Sequence, residues 1–217
     1  MLVISHLLAM GWLVGVCLGA ANLLPFRTAS GFVTDGAHIL FGLFYRTPGA
    51  KAVLRLRMLN AQGRRPRDWG TSVDELLQTA DHEPSHRDVL LIGALGVALD
   101  TDDRTRAEGI LQRFADGPPA RNPLVRYELE LKAVMIEALH GDGTAARARL
   151  GSLGRHPMIA DYPRLAEAVV HAVEGNMTAA RSALQAWERV LSKTGLGTAL
   201  RVGNEWAEEE VRDRLAT

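Results

Sequence analysis

Residues 138–150, Ala138-Leu-His-Gly-Asp-Gly-Thr-Ala-Ala-Arg-Ala-Arg-Leu150, recur 34 positions later as Ala172-Val-Glu-Gly-Asn-Met-Thr-Ala-Ala-Arg-Ser-Ala-Leu184, with seven of thirteen positions identical. In each copy a glycine followed by Asp or Asn closes one helix. The next helix then opens with alanines, and Ala146 and Ala180 are small enough for it to pack closely against the first. A degenerate earlier copy stands about 40 residues upstream, at Ala98-Leu-Asp-Thr-Asp-Asp-Arg-Thr-Arg-Ala107. One such hairpin cannot bury its apolar face alone, so a self-similar period of this length implies stacked helix pairs. The expected fold class is all-α.

Working outward from the repeat, helices are expected over 71–80, 84–99, 102–115, 122–140, 143–154, 161–174, 177–193 and 204–215, punctuated by Pro118-Pro119 and Pro157. The period is that of tetratricopeptide arrays, which the segment resembles, and the usual use of such a stack is to bind a peptide or protein along its concave side. Trp187, Trp206, Tyr127 and Tyr162 are candidate anchors there, although aromatics at helical spacing also serve as core. His140, His156 and His171 show no ligand spacing. The run Glu208-Glu209-Glu210 reads as a solvated helix face.

The 217 residues carry no net charge, yet the charges are unevenly placed. Residues 27–67 hold eight Lys or Arg against the single acid Asp35, whereas residues 68–217 hold 17 basic and 24 acidic side chains. No sequence-wide basicity of the nucleic-acid-binding kind is present. The one cysteine, Cys17, excludes a disulfide framework or a cysteine-based zinc site. From Leu2 to Phe26 there is no charged side chain, and about 20 apolar residues suffice for a transmembrane helix. A cleaved signal peptide, ending near Leu18-Gly19-Ala20, is the competing reading, but its positively charged beginning is missing. Val16 before Cys17 argues against a lipoprotein. The basic cluster Arg27, Arg46, Lys51, Arg55, Arg57, Arg64, Arg65 and Arg67 should stay on the cytoplasmic side, placing a single-pass protein in the cell membrane with its C-terminal tail inside.

Between the span and the tail, Asn22-Leu-Leu-Pro25 puts an amide and a kink at the end of the apolar helix. Asp35-Gly36 then sets a carboxylate between two hydrophobic stretches. Ionisable groups at membrane depth are costly and usually face a cavity, a partner or a metal. In the plainer reading Asp35 caps a short helix whose apolar side is Ile39, Leu40, Leu43 and Phe44. Taken together, Asn22-Leu23-Leu24-Pro25 and Thr34-Asp35-Gly36 resemble the second motif of the site-2-protease family of intramembrane zinc metallopeptidases. The ten-residue step from Pro25 to Asp35 resembles a branch with an extended connection, and Arg65-Pro66-Arg67-Asp68-Trp69 is similar to the segment that comes next in that branch. The resemblance covers about residues 1–70. It implies that Asp35 is the third zinc ligand and that Asn22, Pro25 and Gly36 line the substrate region. The two histidine ligands of that family come from a His-Glu-x-x-His helix earlier in the chain, and none precedes Asn22. Because catalytic zinc needs three protein ligands, the chain is expected to be catalytically incomplete unless a histidine-bearing segment complements it.

His82-Glu83-Pro84-Ser85-His86 matches His-Glu-x-x-His letter for letter. The zinc chemistry needs both histidines on one face of an unbroken helix, and Pro84 forbids that. A helix beginning at Pro84, with His82 outside it, is the expectation. The whole chain thus divides into a membrane segment with its motif (1–45), a basic juxtamembrane linker (46–70) and a helical-repeat cytoplasmic domain (71–217). Two functions are compatible with this organisation: a site-2-protease-like protein carrying the Asp-Gly half of a zinc site, or a non-catalytic membrane-tethered adaptor whose repeats bind a cytoplasmic protein or peptide.

Overall fold

The computed structural model describes residues 47–118, 123–154, 162–193 and 201–217, together with Gly19. Among the described residues all regular structure is helical. Nine α-helices lie wholly within them: α1 (Pro48–Ala61), α2 (Val73–His82), α3 (Arg87–Asp100), α4 (Arg104–Ala115), α5 (Pro123–Leu139), α6 (Gly143–Ser152), α7 (Pro163–Val173), α8 (Met177–Lys193) and α9 (Glu205–Ala216). A 3-10 turn, Pro66–Asp68, stands between α1 and α2. No described helix is long and apolar enough to cross a membrane. The span expected over residues 2–26 lies outside the described residues but for Gly19.

The eight expected helices correspond to α2 through α9, with two local differences. Helix α3 begins at Arg87, not at Pro84, and His82 is the last residue of α2. Pro84 and Ser85 form part of the turn between them, closed by the His86 amide donating to Glu83 O at 2.9 Å. Residues 46–70 include a 14-residue helix, α1, that periodicity does not reveal. Thr47 caps it by accepting from the Ala50 amide at 3.3 Å, and Pro48 occupies its first turn, where the missing N–H is no loss. Its inner face buries only Val53 and Leu56 beside Gly49, which is too sparse an apolar stripe to stand out among the basic residues.

Three helix pairs, α3/α4, α5/α6 and α7/α8, share one turn chemistry. Gly141 (φ 97°) and Gly175 (φ 77°) take the left-handed conformation that ends α5 and α7. The following residues then cap the next helices: Asp142 accepts from Ala145 N at 2.9 Å, and Asn176 from Ala179 N at 3.2 Å. The degenerate copy makes the same turn without glycine. Asp102 holds φ 55°, and Asp103 accepts from Arg106 N at 3.1 Å to start α4.

The first helices of the pairs form a row, α3 against α5 and α5 against α7. Apolar side chains fill it in two clusters. One centres on Leu56, Leu76, Leu90, Leu95 and Ile110, and the other on Val134, Leu165, Val169, Trp187 and Val211. The C-terminal helix α9 lies along this row, packing on α7 and α8 and reaching α3, and its Trp206 touches both clusters.

Candidate functional site

The segment after α1 is shaped by its own residues. Arg65 is held extended before Pro66, as the residue preceding proline prefers, and Pro66 opens the 3-10 turn. Trp69 closes it: its indole Nε1 donates to Arg64 O at 2.9 Å while its ring is buried against α3 and its neighbours. This folding aims Arg65 and Arg67 at the C-terminal end of α3, where Asp100 is buried.

A carboxylate at a helix C-terminus has the wrong sign for the helix dipole, so Asp100 depends on its partners. Arg67 donates to it from the backbone N at 3.0 Å, from Nε at 3.1 Å and from Nη2 at 2.9 Å. Arg65 adds its Nε at 3.0 Å and a short Nη2 contact. Burial alone would raise the Asp100 pKa, but the hydrogen bonds from Arg67 and Arg65 outweigh it and hold the carboxyl below its ordinary value. Arg65 also reaches α9, with Nη1 at 2.6 Å from Glu209 and Nε at 3.4 Å from Glu205. Five side chains from three separate stretches of sequence therefore form one clasp. Beside it lies a cavity of about 360 Å³ bordered by Asp100, Arg104, His140 and Trp206, and the Trp206 Nε1 is buried without an acceptor among the described residues.

A second polar cluster sits farther along the row. Lys132 on α5 is buried, and its Nζ donates to Gly203 O at 3.1 Å and to Asn204 Oδ1 at 3.2 Å, just ahead of α9. Burial pushes its pKa down, and the charge of Glu128 only partly offsets this. Trp187, fully buried, donates from Nε1 to Glu208 Oε1 at 2.8 Å, and Glu208 also accepts from Arg212 at 3.0 Å. Glu208 thus belongs to the interior, which corrects the reading of Glu208-Glu209-Glu210 as a solvated face; Glu209 joins the clasp and Glu210 pairs with Arg214.

Of the candidate anchors, Trp187 and Tyr127 are core, and Tyr162 and Trp206 are half-buried against it. Burial first, and Glu128 second, raise the Tyr162 pKa above the ordinary tyrosine value. His82 and His86 stand on either side of a broken helix, with His82 Nδ1 at 2.7 Å from Gln78 O. His140 meets Glu108 at 2.6 Å, His171 lies beside Arg147 and Glu174, and His156 is outside the described residues. Asn22, Pro25, Asp35 and Gly36 are likewise outside them. Among the described residues no group of three His, Cys, Asp or Glu side chains fits a metal ion. The clasp and the Lys132 seat are not legible in the sequence, because they join residues with no fixed spacing. Compared with protein families, curated proteins and solved structures, the chain matches none of them.

Proposed function

We propose that this chain is a membrane-anchored protein of the site-2-protease type, in which Asp35 is the carboxylate ligand of an intramembrane zinc site and the helical tail is a non-catalytic module of tetratricopeptide-like repeats. The observation that carries this reading is the pairing of Asn22-Leu23-Leu24-Pro25 with Thr34-Asp35-Gly36 directly after an uncharged stretch of membrane-spanning length. The tail's construction supports it. Helix α1 turns Leu54 and Met58, one helical turn apart, outward alongside Lys51, a mixture suited to a membrane interface. Its inner face and Trp69 are packed into the repeat core, so α1 is an integral part of the module. Chemistry then belongs to the membrane segment and recognition to the tail.

The test is metal analysis of the chain purified from its own host's membranes, where any histidine-bearing segment that complements it is present. Stoichiometric zinc in the wild type and background zinc in Asp35→Ala is the expected result. Equal metal content in both would remove the peptidase reading and leave a membrane-tethered repeat adaptor. A reporter fused after Thr217 should in either case report a cytoplasmic tail, and periplasmic activity would overturn the proposed topology.

A further inference from the structure

Helix α9 covers the row α3, α5, α7, the side on which stacked helix pairs ordinarily receive a partner. Its hold there is unlike that of the helices beneath it. Helix α7 buries Leu165, Ala166, Ala168, Val169, Val170 and Ala172, whereas the only fully buried apolar residues of α9 are Ala207 and Val211. Trp206 and Leu215 add partly buried apolar contacts, and polar bonds supply the rest: Glu205 and Glu209 on Arg65, Glu208 on Trp187, and the N-cap residue Asn204 on Lys132. Apolar burial is the chief adhesive of packed helices, so α9 is less firmly seated than α7, on which it packs.

The face beneath α9 specifies its replacement. With residues 201–217 lifted away, the Trp187 indole N–H loses its acceptor, the Lys132 ammonium loses both acceptors, and Arg65 keeps only Asp100. A buried donor without an acceptor is costly, and an apolar helix would leave Trp187 and Lys132 unsatisfied and Arg65 without its two glutamates. An occupant must bring carboxylates at the spacing of Glu205, Glu208 and Glu209, of which the second and third each lie about one turn from the first. It must also bring small or β-branched residues at the positions of Ala207 and Val211. We propose that α9 is an intramolecular stand-in for a partner, and that the row α3–α5–α7 is a docking face for an acidic amphipathic helix of another protein, which binds by displacing α9. This deepens the assignment of recognition to the tail and stands whether or not Asp35 holds zinc.

The test uses the full detergent-solubilised chain with a specific protease site inserted between Lys193 and Arg201, and a fluorescent synthetic peptide of residues 201–217. In the uncut chain the tethered helix competes at a millimolar-range effective concentration, so the peptide should bind about 10²- to 10⁴-fold more weakly than to the cut chain. A peptide with Glu205, Glu208 and Glu209 changed to glutamine should lose at least about tenfold in affinity, a comparison that leaves the protein unaltered. Arg65→Glu in the cut chain should weaken the wild-type peptide and favour one carrying Glu205→Arg and Glu209→Arg. Three results overturn the proposal. They are equal binding of the glutamine peptide, failure of the cut chain to exchange its helix for peptide, and formation by the uncut chain of a dimer that the peptide dissolves. The last would make a second copy of this chain the occupant.

Discussion

Asp100 and Lys132 are both buried charges on neighbouring helices of one row, and the molecule treats them oppositely. Around Asp100 the fold brings two guanidinium groups, so the charge is neutralised by opposite charge as well as hydrogen-bonded. Around Lys132 the bonded partners are a carbonyl and an amide oxygen, both neutral, and Glu128 acts only at longer range. The first arrangement offsets desolvation and fixes the turn 65–69 to the stack. The second leaves part of the desolvation penalty uncompensated while holding Gly203 and Asn204, the entry to α9. Both sites therefore terminate on the same helix, one through charge and one through dipoles.

The largest effect that this contrast predicts is at Asp100. Asp100→Ala removes the common acceptor of Arg65 and Arg67 and leaves the turn held to α3 by apolar packing alone, chiefly that of Trp69. Breaking a fully buried ion pair costs about 3–5 kcal/mol, but Arg67 is nearly half-exposed and can be rehydrated, so a loss of about 2–3 kcal/mol is expected. Urea unfolding followed by tryptophan fluorescence measures it, and a change within about 0.5 kcal/mol would mean that the clasp contributes no more than a surface ion pair. The pH dependence has a definite sign. The folded Asp100 pKa lies below the ordinary 3.8, so its contribution is present above that value and is lost as pH falls through the folded one.

Lys132 should behave differently on mutation. Lys132→Met keeps most of the volume and removes the desolvation cost, although it leaves Asn204 Oδ1 and Gly203 O without that donor. The relieved desolvation and the two lost hydrogen bonds should roughly cancel, leaving a change within about 1 kcal/mol in either direction. A pH scan separates charge from packing. The folded Lys132 pKa lies below 10.5, so between those two values the unfolded chain binds more protons and stability rises with pH. Tyr162, whose pKa is raised, works against this only above about pH 10. The wild-type urea midpoint should therefore climb as pH rises from the folded Lys132 pKa towards its ordinary value, and Lys132→Met should flatten that climb. An unchanged slope in the variant would place the proton uptake elsewhere.

These two sites also mark the boundary of sequence reading. The hairpins are legible because glycine or Asp/Asn turns and small residues act over a few positions, and the 34-residue recurrence repeats that local chemistry. Helix α1 is obscured because its buried stripe is only Val53 and Leu56 within a basic run. Asp100 meets Arg65 across 35 positions, Trp187 meets Glu208 across 21, and Lys132 meets Asn204 across 72, and no periodicity encodes such pairs. The three consecutive glutamates behave in the same way: identical neighbours face the interior, the clasp and Arg214 respectively, according to the packing of α9. The zinc-site residues, by contrast, rest on motif resemblance and lie outside the described residues.

The smallest effect concerns the turn that sets Asp100 in place. Asp102 comes two residues after it and adopts φ 55°, where Gly141 and Gly175 stand in the other two pairs. A left-handed residue with a Cβ costs about 1–2 kcal/mol, less for Asp than for most side chains, and glycine relieves that strain. Two terms reduce the gain. Asp102→Gly gives up an exposed pair with Arg104 at 2.9 Å, which is worth little in solvent, and it raises the conformational entropy of the unfolded chain. The net expectation is a stabilisation of about 0.5 kcal/mol, or roughly 1–2 °C in Tm for a domain of this size. Gly175→Ala, which imposes the strain where it is now absent, should move Tm the other way by about twice as much, since its added Cβ meets nothing within 4 Å and only the backbone is at stake. If both substitutions destabilise, the Asp102 carboxylate contributes more to the first turn than its conformation costs, and the degenerate copy is then a specialised turn that supports the Asp100 clasp.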